Sequence, residues 1–439
     1  MPRLLRAFQT VYTLSRWGRR RFTPAGLALL YLLGAAALFG IDTQRTAAYQ
    51  VFALTVALIA VASLGALRVG VRPSVTRHLP ACATAGQPFP CRYSVVNPSR
   101  KPMSGLRLRD ELADTLPTPE RFHQARGDGD PAVNWVDRKI GYPRWVALVG
   151  RLRGADIEEV LLPDLGPGER EEVARTITPL RRGMLRFERL RLLRADPLGL
   201  INAMATMAAP DSLLVLPKTY PIAPLALPGV RRLQLGGVAL SQHVGDSEEF
   251  VQLRDYRPGD PLRHIHWRAF ARAGKPVVKE YQDEFFTRYA LVLDTFGGHS
   301  AQRDFEAALS VAASILVGLP LRDALLDLLF VEDRAWCLTA GRGVGQVSEL
   351  LRVIAVLEPR AEPGFGVLAQ RVLQQAGALS ACIVVLLGLD EPRRALLEQL
   401  SRMGISVLAL VVGAGGEVPG ARVHAIDPGD VGASLAALS

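Results

Sequence analysis

The apolar positions along the chain fall into several regimes. Between Arg21 and Asp42 lie 20 uncharged residues, among them the run LALLYLLGAAALFGI, and a second uncharged run of 22 lies between Arg45 and Arg68. A helix crosses a hydrocarbon layer of roughly 30 Å with about 20 apolar residues, so each run is long enough to span. The short link Asp42-Thr43-Gln44-Arg45 fits only a tight turn between them. The first run exceeds the ~7–15 residues of a signal-peptide core, and a second follows at once, so the pattern predicts a transmembrane hairpin over residues 1–70.

From 71 to 230 the pattern shortens. Phe89–Val96, Leu106–Arg109 and Leu185–Leu192 alternate at period two between Pro- and Gly-rich breaks, and Asn97-Pro98-Ser99 reads as a turn. Repeated short strands predict an immunoglobulin-like β-sandwich without the Cys…Trp…Cys core. Phe122–Gly141 is polar and irregular, a long loop or an insertion, and Asp196-Pro197-Leu198-Gly199 is expected to close the sandwich. From 288 to 439 buried-strand runs (Tyr289–Asp294, Ala324–Val331, Ala335–Leu338, Ala381–Leu387, Ile405–Val412) alternate with helical patterns at 301–318, 345–357, 366–376 and 392–402. That rhythm predicts a Rossmann-like α/β domain with a mostly parallel sheet, whose sites form at the carboxyl ends of strands. Asp294 and Asp390 stand at such ends.

Charge changes the picture at one end only. The 439 residues carry a formal +10, but residues 1–80 hold ten Arg against the single acid Asp42, while the remainder has 42 basic and 41 acidic side chains. A balanced body removes the main support for a nucleic-acid partner. Arg flanking both outer ends of the apolar runs predicts that N-terminus and body share the cytoplasmic side of a bacterial-type inner membrane, with membrane lipid contacted through two helices and Trp17, Tyr31 and Tyr49 near the interfaces. Four cysteines without a C-x-x-C pair exclude a disulfide scaffold and read as free thiols.

Residues 231–287 form a third segment, dense in both signs of charge and in aromatics. Arg257-Pro258-Gly259-Asp260 is a turn, Pro fixing φ and Gly accepting positive φ. Asp255, Asp260, Arg254, Arg263, Arg268 and Arg272 each have an oppositely charged residue within ten positions, so Arg–carboxylate forks are expected. Two readings follow: a salt-bridge network that pins the segment, or an Arg-lined surface for a partner's acidic groups. The residues concerned are Arg254, Asp255, Tyr256, Pro258, Gly259, Asp260, Arg263, Trp267 and Arg272.

The string EEFVQLRDYRPGDPLRHIHWRAFAR (248–272) resembles the hallmark of the domain of unknown function 58 family, and Arg181-Arg182-Gly183 with Asp196-Pro197-Leu198-Gly199-Leu200 is similar to that family's upstream pattern. The resemblance implies a von Willebrand factor A-like domain after the motif and association with MoxR-type AAA+ ATPases. It supplies an architecture and a partner class, not a reaction.

A von Willebrand A-like metal site needs Asp-x-Ser-x-Ser, but here the stretch is Asp294-Thr295-Phe296-Gly297-Gly298, without a side-chain oxygen at either serine position. Mg²⁺ wants an octahedron of oxygens, which leaves only Asp294 and Asp390 as weak ligands. Gly341-x-Gly343 runs into Gln346 in place of the third glycine of a dinucleotide fingerprint, and Gly274-Lys275-Pro276 is no Walker loop. No Gly-x-Ser-x-Gly or His-Glu-x-x-His occurs. His264 and His266 would share one face of a strand and lack a third ligand. The sequence therefore reads as a membrane-tethered cytoplasmic adaptor without a catalytic apparatus or cofactor, and the family resemblance implies that it works with a MoxR-type AAA+ ATPase on a client in assembly or maturation of envelope proteins. The alternative is a metal-dependent hydrolase using Asp294 and Asp390.

Overall fold

The computed structural model describes residues 2–39, 46–67, 73–113, 116–119, 122, 141–223, 248–258, 260, 262, 265–283, 287–297, 302–319, 324–341, 346–360 and 364–438. The chain divides into two units, Met1–Lys218 with Ile354–Val356 and Thr219–Val353 with Leu357–Ser439.

The first unit opens with helices α1 (Pro2–Arg21), α2 (Pro24–Phe39) and α3 (Thr46–Gly65). On α1, Leu5, Phe8 and Tyr12 recur at helical spacing and form one face. Leu5 and Phe8 are buried in a small cluster with Phe122 and Trp145, and the Tyr12 and Trp145 rings lie 5.3 Å apart. Thr23 caps α2 by accepting a hydrogen bond from Gly26 N, and Pro24 occupies the first position, where its missing N–H costs nothing.

Among the described residues no helix is long and apolar enough to cross a membrane. This overturns the expected transmembrane hairpin, and with it the multi-pass placement in a bacterial-type inner membrane with a cytoplasmic body. Helix α2 has 16 residues, about 24 Å at 1.5 Å per residue. Helix α3 spends its last turn on protein: Ala62, with Ala66 just beyond, is buried in the same core as the strands described next, which leaves about 24 Å over 46–61. Both apolar runs are also anchored to that unit at their outer ends. Thr23 N donates to Leu200 O at 3.0 Å, Thr23 Oγ1 to Gly199 O at 2.6 Å, and Phe22 bridges to Ile201. What the described residues build is a mixed α/β chain without the expected transmembrane hairpin.

The strands of this unit are β1 (Ser74–His78), β2 (Cys82–Thr84), β3 (Phe89–Val96), β4 (Leu106–Leu112), then helix α4 (Tyr142–Leu152), β5 (Ala155–Asp156), β6 (Val160–Leu161), β7 (Arg170–Pro179), β8 (Gly183–Ala195) and β9 (Asn202–Leu216). They form a four-stranded sheet, β1-β3-β7-β5, and a five-stranded one, β2-β9-β8-β4-β6. One apolar core joins them, built from alternate residues: Cys91, Tyr93 and Val95 of β3, Leu106 and Leu108 of β4, Leu190 and Leu192 of β8. Inside it Arg77 forks onto Asp110 (Nε–Oδ2 2.7 Å, Nη2–Oδ1 2.6 Å), Tyr93 OH donates to Asp110 Oδ2 at 2.9 Å, and the guanidinium stacks 4.4 Å from the Phe187 ring centroid.

Asp196-Pro197-Leu198-Gly199 does not close this unit. It joins β8 to β9: Asp196 accepts from Leu198, Leu200 and Ile201 N, and Gly199 takes φ 68°, a conformation other residues resist. The loop expected over Phe122–Gly141 lies, except at its ends, outside the described residues. All four cysteines are free; Cys91 and Cys382 are buried, Cys82 and Cys337 half-buried.

The second unit begins, among described strands, with the antiparallel pair β10 (Glu248–Asp255) and β11 (Val277–Asp283), which flank helix α5 (Trp267–Ala273). There follow β12 (Thr287–Leu293), α6 (Gln302–Gly318), β13 (Ala324–Val331), β14 (Ala335–Gly341), α7 (Val347–Val356), α8 (Phe365–Gln375), β15 (Ala381–Leu386), α9 (Glu391–Arg402), β16 (Ser406–Val412), β17 (Ala421–Ile426) and α10 (Val431–Ala436). The sheet order is β14-β13-β12-β15-β16-β17, parallel except for β14. Strand β15 is buried at every position, as strands covered on both faces require. The order reverses between β12 and β15, the crevice where open α/β sheets place ligands.

Candidate functional site

Two groups of residues singled out by the sequence lie in the second unit, and the structure gives them different characters. The first is the charged motif. Strands β10 and β11 pair from Glu248↔Asp283 to Asp255↔Val277, with an irregularity between Phe250 and Gln252. The intervening segment folds back on the pair: Tyr256 N donates to Pro276 O at 2.9 Å, His266 N to Val277 O at 2.8 Å, and Ile265 bridges to Val278.

The turn at Arg257 closes twice. Asp260 N donates to Arg257 O at 3.0 Å, and Arg257 N donates to Asp260 Oδ2 at 2.8 Å. Arg254 completes the lock with a fork, Nη1–Oδ2 at 2.7 Å and Nη2–Oδ1 at 2.8 Å. Arg254 and Asp260 thus hold the loop's shape, with Asp255 exposed and Tyr256 half-buried beside them. The hydrogen bonds from Arg254, with that from Arg257 N, hold the Asp260 carboxyl at about 2. The sign is that of a depressed acid: the turn's stabilisation is present above the ordinary Asp value of ~3.9 and lost as pH falls through about 2. A carboxyl titration of Asp260 by NMR should give a midpoint at about 2, and a midpoint near the ordinary value would show the fork absent in solution.

His266 is not on a strand, which corrects the reading of His264 and His266 as neighbours on one strand face. Its Nδ1 accepts from Ala269 N at 3.0 Å and caps α5, whose other end is closed by Gly274 at φ 63°. The capped helix presents Trp267 outward, 64% exposed and edge-on to Phe270. Around it Arg257, Pro258, Leu262, Arg268, Arg272 and Lys275 are exposed. Gly259, Arg263 and His264 lie outside the described residues. Among the described residues of 253–278, exposed cations outnumber exposed acids four to one, Asp255 being the acid. Arg254 and Asp260 thus pin the loop, while Arg268 and Arg272, four apart on α5, are exposed.

The second group is at the β12/β15 crevice. Asp294 is completely buried just past the end of β12. Its Oδ1 accepts from Phe296 N at 2.9 Å, and its Oδ2 accepts from Leu387 N at 3.0 Å and from Arg393 Nε at 2.7 Å. Asp390 is the N-cap of α9, accepting from Arg393 N, and also pairs with Arg393 Nη1. The same guanidinium donates through Nη2 to Phe296 O at 2.9 Å and lies 4.8 Å from the centroid of the Phe365 ring. Burial alone would lower the Arg393 guanidinium, but the hydrogen bond and charge of Asp294, with Asp390, hold it above its ordinary value.

The two carboxylates named as weak metal ligands are thus brought together, around an arginine. Among the described residues no three His, Cys, Asp or Glu side chains converge as a ligand set. Asp294 has each oxygen committed to donors, which fits a structural ion pair better than the ligand set of a hydrolase. Sequence reasoning missed Arg393; the available signal was a basic residue three places after the helix-capping Asp390.

Among known proteins, the chain is 30% identical over 141 residues to the uncharacterized protein YeaD of Bacillus subtilis (strain 168), covering 31% of this chain and 33% of that protein. The chain thus spans about a third of the length of this curated relative. Solved structures with some likeness include proximal thread matrix protein 1 from the mussel byssus (TM-score 0.28, 11% identity, 35% of this chain and 47% of that one). Another is the CARDB domain of PF1109 from Pyrococcus furiosus (TM-score 0.17, 14% identity, 33% of this chain and 97% of that one). Residues 252–410, which run from the Arg254–Asp260 lock through the Asp294–Arg393 pair into β16, match the family described as protein of unknown function DUF58.

Proposed function

We propose that the chain is a protein-docking adaptor, that the β10–α5–β11 segment is its contact surface, and that its partner is an AAA+ ATPase of the MoxR class. The observation that carries the reading is Trp267, a large aromatic held outward on a helix capped at both ends and mounted on a locked turn. Trp and Arg are side chains that dominate interface energetics: Trp buries a large rigid area at low entropic cost, and Arg pairs with carboxylates through a planar fork. A preorganised loop adds affinity by having less to lose on binding. The exposed cations around the aromatic suit an acidic patch on the partner, and they favour fast encounter at low salt. The MoxR class comes from the family resemblance of the motif itself, and the ATPase supplies the energy for which the sequence shows no apparatus.

The test is co-purification of the full-length chain from its native organism, with and without ATP, and identification of bound AAA+ proteins by mass spectrometry. Trp267→Ala should reduce recovery of the ATPase about thirtyfold, the loss typical of an interface anchor of at least ~2 kcal/mol. Trp267 is largely exposed, so the variant should unfold as the parent does. Equal recovery by parent and variant, or recovery of no AAA+ protein by either, would remove the proposal.

A further inference from the structure

The face of α1 that carries Leu5, Phe8 and Tyr12 continues, at the same helical spacing, through Arg16 and Arg20. The helix therefore turns from aromatic to cationic towards its C-terminal end. Arg20 reaches β4, with Nη2 2.9 Å from Glu111 Oε1, and Asn202 Nδ2 donates to Arg20 O at 3.1 Å. What it meets is already positive. Arg109 of β4 and Arg191 of β8 are directly opposed across the strand pair, as are Glu111 and Arg189. Like charges in directly opposed positions destabilise a sheet unless something lies between them.

The available carboxylates do not suffice. Glu111 takes Arg20 and Arg191, each at 2.9 Å, and Glu159 takes Arg107 and Arg109 at 3.4 and 3.1 Å. With Arg189, whose Nε lies 3.9 Å from Glu111 Oε2, five guanidinium groups share the two carboxylates. Inside the cluster Arg20 Nε and Arg191 Nε are buried without an acceptor among the described residues, and Arg20 Nη2 and Glu111 Oε1, though in ion-pair contact, make no hydrogen bond. Sealed donors of this kind are costly and call for an acceptor. Burial, then the nearness of Arg16, holds the Arg20 guanidinium down to about 10, with Arg109 and Arg191 adding to the effect.

We propose that Arg16, Arg20, Arg109 and Arg191 form a binding site for a phosphate group, free or as a small phosphomonoester. A tetrahedral dianion offers several strong acceptors to converging guanidinium forks, which neither chloride nor a single carboxylate can match. Bound there, it neutralises the opposed Arg109–Arg191 pair and fastens the C-terminal end of α1 to the sheet.

The experiment is thermal unfolding of the full chain during titration with inorganic phosphate, with glycerol 3-phosphate, and with sodium chloride at matched ionic strength. The site predicts a saturable rise in Tm with one or both phosphates, by mass action, and none with chloride. The tighter of the two phosphates identifies the form of the ligand. Arg109→Gln should weaken phosphate about tenfold or more while leaving the phosphate-free Tm unchanged or raised, because it relieves the like-charge pair. Arg19→Gln removes an equal charge from an exposed position on the same helix and should leave binding intact. An equal rise in chloride, a rise that does not saturate, or phosphate binding insensitive to Arg109→Gln would each overturn the site.

Discussion

Replacing Arg393 with Met should destabilise the second unit by about 3–5 kcal/mol, the cost of breaking a buried pair from one side. The loss comes less from the missing attraction than from what stays behind. Asp294, completely buried, would keep two backbone donors and lose its countercharge, while Phe296 O would lose its donor from Nη2. A domain's stability is of order 5–15 kcal/mol, so this is a large share of it. Denaturant unfolding followed through the native tryptophans measures the change. Pairing the substitution with Asp294→Asn should recover part of the loss, because the buried charge is then gone. The outcome separates two views of Asp294. A metal ligand would tolerate Arg393→Met and respond to added Mg²⁺; a structural ion pair predicts destabilisation that Mg²⁺ does not reverse.

Arg77→Met should have a comparable effect in the first unit, again about 3–5 kcal/mol. Arg77 and Asp110 are almost fully enclosed, with side chains 2% and 1% exposed, and the guanidinium also donates to Ala209 O at 3.0 Å. Met replaces the stem but not the fork, so Asp110 would keep only Tyr93 among its side-chain donors. The effect should depend on pH with a defined sign. Burial already pushes the Asp110 carboxyl up, against the pull of Arg77 and Tyr93. Without Arg77 it rises further, and an acid whose folded value is raised contributes stability below its unfolded value and loses it as pH climbs through the folded one. The deficit of the variant should therefore be smallest in acid and grow towards neutrality. A deficit constant with pH would mean that Asp110 is not the group left stranded.

The two predictions also show where sequence was informative. Strand β15 could be read from ACIVVL alone, because a strand covered on both faces has no polar alternation to confuse it. Helix α9 was legible because Asp390 caps it and Pro392 suits its first turn. Strand β17 was not: Ala421-Arg-Val-His-Ala-Ile426 lies at the sheet's edge, mostly half-exposed, and its polar residues blur any period. The pair β10–β11 was hidden for a similar reason, since charge density masked its alternation.

The first sixty residues were misread through composition. A run of Leu and Ala satisfies a hydropathy rule whether lipid or protein covers it, and nothing local reveals that Thr23 is tied to Gly199 or that Ala62 and Ala66 are buried among strands. The basic start was read as the flank of a membrane span, although Leu5, Phe8 and Tyr12 at helical spacing marked an amphipathic helix. The motif at 248–272 was legible as chemistry and as a turn, because Pro258 and Asp260 announce it. Arg393 was not legible as the partner of Asp294, since 99 residues separate two groups that meet only when β12 and β15 pair.

Docking through the β10–α5–β11 surface is tested most directly by hydrogen exchange on the full chain, alone and mixed with the purified MoxR-class ATPase of the same organism plus ATP. Slowed exchange should concentrate in residues 253–278, around Trp267 and the Arg254–Asp260 turn, and Trp267→Ala should abolish it. Protection that leaves this segment unchanged and falls instead on the Asp294–Arg393 crevice, or on neither, would contradict the assignment.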